Sequence, residues 1–124
     1  MLSILALTSV VVVALLHLGF MVLEATQWNR PLGRKLTHLG EEAARETAGV
    51  GINMGIYNGF LGAALLWVTF AWGVREAYSA QWLLLTFIVF AGVVGTITMR
   101  NRGILVFQSL PALAALLFIW ANHS

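Results

Sequence analysis

The sequence predicts an all-α integral membrane protein, a four-transmembrane-helix bundle with a short interfacial amphipathic segment between helices 1 and 2. Three observations carry this. Of 124 residues, 60% are hydrophobic and only 10% charged, with a mean hydropathy of +0.86, whereas a soluble domain is about 45–50% apolar and about 25% charged. Runs of roughly 18 or more apolar residues mark membrane spans, and they occur at about residues 2–24, 48–73, 82–99 and 104–121. The Lys and Arg residues alternate with those spans: Arg30, Arg34, Lys35 and Arg45 follow the first, Arg100 and Arg102 the third, and Arg75 alone follows the second.

The first span has no basic segment ahead of it, and its apolar run is long for a signal peptide. No small-residue cleavage site precedes Glu24 either, so it reads as an uncleaved helix. The six-to-one bias of basic residues puts loops 1 and 3 in the cytoplasm and both termini outside. Trp72, Trp82 and Trp120 then fall at outer helix ends and Trp28 at an inner end, as an aromatic belt requires. The long first connection, residues 25–47, holds Pro31 where it can open a short helix. Trp28, Leu32, Leu36 and Leu39 recur there at spacings of four, four and three, with Arg34, Lys35 and Glu41 polar, which predicts a helix lying in the cytoplasmic interface. Gly40 breaks it, and Glu41, Glu42, Arg45 and Glu46 can pair before the second span. A solvated linker is the alternative. No repeat or linker divides the chain, so residues 1–124 form one membrane domain.

Residues 53–67, NMGIYNGFLGAALLW, set two asparagines and a tyrosine in a stretch otherwise suited to lipid. An unpaired amide in hydrocarbon costs several kcal/mol, so partners are required. With about 1.5 Å of rise per residue, Glu24 falls at the cytoplasmic end of helix 1, and His17 lies about 10 Å deeper. Asn53, Tyr57, Asn58, Thr96, Thr98, Gln108 and Ser109 all fall in that same inner half. His17, Met21, Glu24 and Trp28 form one stripe on the first helix. Gly51, Gly55, Gly59 and Gly62 share a face of the second, the small-residue mode of close helix packing. Asn58 shares that face, while Asn53 and Tyr57 point nearly the opposite way, toward another neighbour or a cavity. Pro111 removes a backbone bond one turn beyond Gln108 and predicts a kink that widens the space there. The expectation is a buried polar layer facing the cytoplasm. In it Asn53, Tyr57 and Asn58 pair with His17, Glu24, Gln108 and the threonines.

The stretch HLGFMVLEATQW, followed by NMGIYNGFLGA, resembles a family of small bacterial membrane proteins, domain of unknown function 1304. The matching residues are His17, Glu24 and Trp28, then Asn53, Gly55, Tyr57, Asn58, Gly59, Phe60 and Leu61. Met54 stands where the family has Gln. The resemblance extends over the whole chain and implies four spans in a bacterial inner membrane; it implies no reaction.

Without cysteine the chain has no disulfide exchange, thiolate catalysis or Cys-ligated metal. His17 and Glu24 offer two metal ligands where a zinc site needs three or four, no second intramembrane His supports a bis-histidine haem, and nothing specifies another cofactor. The slight positive charge does not argue for nucleic acid. The bilayer is one partner, and four spans leave enough helix surface for a homo-oligomer or a larger complex.

Three function classes remain. The first is a protein binding, and transforming, a small amphiphile or lipid-like molecule in the inner-leaflet pocket. There His17 and Glu24 would act as acid and base, with Asn53, Tyr57, Asn58, Gln108 and Trp28 lining the site. For His17 the alternative is a neutral, hydrogen-bonded structural imidazole, and for Glu24 a carboxylate answering Arg30 or Arg34. The second class is an accessory subunit of a membrane complex. The third is a small proton-coupled exporter, which Glu24 fits poorly because it lies so near the helix end.

Overall fold

The computed structural model describes residues 3–124. Its helices are α1 (Ile4–Gln27), α2 (Pro31–Thr37), α3 (Glu41–Glu46), α4 (Ala48–Ala71), α5 (Val74–Met99) and α6 (Arg102–His123). Helices α1, α4, α5 and α6 are long and apolar enough to cross a membrane, and no strand occurs among the described residues. The sequence expectation of an all-α, four-span chain therefore holds. The largest boundary shift is at α5, which begins at Val74 instead of Trp82. Arg75, Glu76, Ser79 and Gln81 dilute the apolar run without breaking a helix, so hydropathy places the start two turns late. Only Trp72 and Gly73 then join α4 to α5.

Between α1 and α4 the chain forms two short helices. The Trp28–Leu32–Leu36–Leu39 stripe is not one helix face. Trp28 caps α1 and turns inward, Leu32 and Leu36 stand exposed on α2, and Leu39 lies beyond His38, whose left-handed backbone (φ 61°) ends α2. Gly33 seats α2 on the end of α1, because any Cβ there would meet the carbonyl of Gln27.

Helix α1 lies between α4 on one side and α6 on the other, α5 packs on α6, and Gln81 Nε2 ties α5 back to α4 by donating to Thr69 Oγ1 at 3.0 Å. The start of α1 and the end of α6 share one end, where the Ser3 amide donates to Asn122 Oδ1 at 2.7 Å. The apolar core fills that half: Ala6, Val10, Val13 and Ala14 of α1 meet Leu65, Leu85, Ile88, Ala112, Ala115 and Ile119. Phe60, Trp67, Phe90 and Ile97 point outward, as suits a bundle whose solvent is lipid.

The disturbance expected at Pro111 takes the form of a π-turn over Leu105–Ser109, closed by the Leu110 amide donating to the Leu105 carbonyl. Pro111 has no N–H for the carbonyl four residues back, and lengthening the hydrogen-bond step by one residue is a standard accommodation. Within this segment Ser109 Oγ donates to the Val89 carbonyl at 3.0 Å, and Gly92 of α5 leaves the room for it.

Candidate functional site: the α1–α4 seam

Gly51, Gly55, Gly59 and Gly62, four of the five glycines of α4, are buried against α1 in an antiparallel ladder. A Cβ on Gly51 would strike the Trp28 ring, and one on Gly59 would strike the Met21 sulfur. On Gly55 it would lie 2.9 Å from the Met21 carbonyl, and on Gly62 2.7 Å from the Ala14 carbonyl. Each step of three or four residues along α4 thus meets a similar step backwards along α1. The spacing of small residues lets the two backbones approach to this distance.

In this seam Asn58 Nδ2 donates to Glu24 Oε2 at 2.6 Å, at the short end for such a bond. Glu24 therefore answers neither Arg30 nor Arg34; Arg34 instead pairs with Glu41 at 3.4 Å. Trp28 is 6% exposed, and its indole N–H donates to Thr47 Oγ1 at 3.0 Å. That hydroxyl in turn donates to the Ala43 carbonyl at 2.6 Å. Trp28 thereby latches the end of α1 to the α3–α4 junction, which occupies the indole N–H.

His17 is wholly buried. Its Nδ1 lies 2.9 Å from the Val13 carbonyl. A carbonyl only accepts, so Nδ1 carries the proton and the lone pair is left on Nε2. Nε2 has no partner, and the ring meets Phe20 edge-on at 5.3 Å between centroids. Hence His17 and Glu24 share a helix face without forming an acid–base pair.

The rest of the expected polar layer does not assemble. Asn53 is exposed and Tyr57 is 64% exposed, both on the outer face of α4, away from the buried His17. Thr96 and Thr98 donate to carbonyls of their own helix, at Gly92 and Val94, which satisfies each hydroxyl locally. Gln108 is half-buried in the π-turn. The inner-half cavity lined by Asn53, Tyr57 and His17 is therefore not formed by one chain. Helical spacing separates Asn53 and Tyr57 from the glycine face, and in the bundle both are left exposed. A shallow apolar recess lies on α1, lined by Val12, Leu15, Leu16, Gly19, Phe20 and Leu23, with no side chain suited to chemistry.

Two polar residues escaped the sequence reading. Gln81 is fully buried at the opposite end of the bundle, so polar groups are not confined to one half. A third helix begun before Trp82 would have revealed it. Asn101, in the α5–α6 turn, donates through Nδ2 to the Leu36 carbonyl at 2.9 Å, a contact over 65 positions that no local pattern signals.

Four membrane-length helices, closed by a glycine seam and one half-buried amide–carboxylate pair, define a small multi-pass integral membrane protein. Residues 11–120 match the model of the family described as Protein of unknown function (DUF1304), and the chain belongs to that family. Comparison with curated proteins and with solved structures returns no match.

Proposed function

We propose that this chain is a structural or accessory subunit that assembles, with copies of itself or within a larger membrane complex, through the outer face of α4. One observation carries the reading: Asn53 and Tyr57 stand exposed on that face at the depth where Glu24 and Asn58 are already spent on each other. An amide in a lipid-facing position carries a cost that a neighbouring protein's polar groups remove. The six basic residues at the α2 end support a cytoplasmic location for that end and an outside location for both termini, and membership in the family supports the bacterial inner membrane. Binding and transformation of an amphiphile would then require a pocket completed by a second chain.

The test is the mass of the protein extracted from native membranes into lipid nanodiscs. Wild type is expected above the 13.5 kDa of one chain, and Asn53→Leu with Tyr57→Phe is expected to run as a monomer with unchanged helix content. A monomeric wild type, or an assembly indifferent to both substitutions, overturns the reading.

A second reading rests on the unpartnered Nε2 of buried His17, a free lone pair suited to proton transfer or ligand contact. His17→Phe would keep the fold and abolish that chemistry. If the variant co-purifies with the same small molecules as wild type, this reading fails.

A further inference from the structure

The end of the bundle opposite the Ser3–Asn122 contact carries an excess of cations whose arrangement depends on tertiary contact. The Asn101 side chain, in the turn between Arg100 and Arg102, is bonded to the carbonyl of Leu36 at the end of α2. This brings Arg100 and Arg102 to the last turn of α2, where Lys35 lies. All three side chains are exposed, and among the described residues none has a carboxylate within ion-pairing distance. The acidic residues of this end are Glu24, bonded to Asn58, and Glu41, Glu42 and Glu46 on α3, of which Glu41 is bound to Arg34.

The same helix exposes two leucines. Leu32 is 49% and Leu36 47% exposed, one turn apart on a shared face. Gly33, pressed on the Gln27–Trp28 backbone, turns an adjoining side of α2 inward. A short helix with leucines outward and cations beside them, fixed where four spans leave the membrane, has the composition of an interfacial segment. Cations clustered beside a membrane span attract anionic headgroups.

We propose that Lys35, Arg100 and Arg102 form a composite site for the phosphate of an anionic phospholipid, with Leu32 and Leu36 set among its acyl chains and the Asn101–Leu36 bond holding the two loops in register. The occupant is a lipid of the surrounding leaflet: the leucines adjoin the cations, and a soluble phosphate offers nothing for them. The site is independent of the α4 face and stands whether or not the chain assembles.

The test uses the full chain reconstituted in phosphatidylcholine bilayers, with trace spin-labelled phosphatidylglycerol or phosphatidylcholine. The fraction of each label immobilised by the protein is read by electron spin resonance. Wild type is expected to hold phosphatidylglycerol several-fold more than phosphatidylcholine, with the ratio falling as salt rises toward about 0.15 M, where charges beyond about 8 Å are screened. Lys35→Gln/Arg100→Gln/Arg102→Gln is expected to bring the ratio close to one. Asn101→Ala, which keeps every charge, is expected to lose most of the preference, and Arg45→Gln on α3 to retain it. Excess glycerol phosphate is expected to leave the wild-type ratio unchanged. Equal immobilisation of the two lipids by wild type, an unchanged ratio in the triple variant or in Asn101→Ala, or displacement by glycerol phosphate each overturns the site.

Discussion

The Glu24 carboxyl and the Asn58 amide meet between two backbones that glycines hold close, so each is the other's chief polar partner. Removing one partner exposes the unequal energetics of hydrogen bonds held away from water: a lone orphan costs more than replacing both groups by apolar ones. Asn58→Leu is expected to destabilise the bundle by about 1–2 kcal/mol, and the double variant Glu24→Leu/Asn58→Leu by clearly less than the sum of the singles. Unfolding titrations in mixed detergent measure the coupling, and strictly additive losses would show that the pair contributes nothing. His17 differs, since its Nδ1 is satisfied within its own helix and its Nε2 is not satisfied at all. Periodicity revealed that His17 and Glu24 share a stripe. It could not reveal that a carbonyl four residues back would take up one ring nitrogen.

At the scale of the element, the α1–α4 seam separates its glycines by what each would strike. Gly55 and Gly62 face backbone carbonyls, which cannot yield, whereas Gly59 faces the flexible end of Met21. Overpacking costs roughly 1–3 kcal/mol, and exchanging a helical Gly for Ala returns up to about 1 kcal/mol. Gly55→Ala and Gly62→Ala are thus expected to destabilise, Gly59→Ala to be near neutral, and Gly19→Ala, with open space around it, to stabilise slightly. Equal losses at Gly55 and Gly59 would sink this ordering. In α6, Pro111→Ala restores the missing N–H and is expected to convert the π-turn over Leu105–Ser109 into regular helix. The resulting change of register beyond it would shift distances between spin labels at the two ends of α6.

For the whole molecule the consequence lies in what the bundle leaves outside. Four helices enclose a narrow core, and the outer face of α4 shows Asn53, Tyr57, Phe60 and Trp67 along one line. The assembly experiment and the lipid experiment address different surfaces of this exterior, one along the membrane-spanning wall and one at the basic end, so either can fail without the other.

Composition and hydropathy by themselves determined that this is an all-α membrane protein with four spans, because lipid demands long apolar helices and writes that demand into every window of sequence. The glycine spacing likewise marked the face along which α4 meets a neighbour. Tertiary structure alone decided that the neighbour is α1, that Glu24 belongs to Asn58, that Asn101 ties the third loop to α2, and that Asn53 and Tyr57 are left outside. Periodicity gives the direction of a side chain from its own helix axis. What stands in that direction depends on the packing of other helices, and no local pattern carries it.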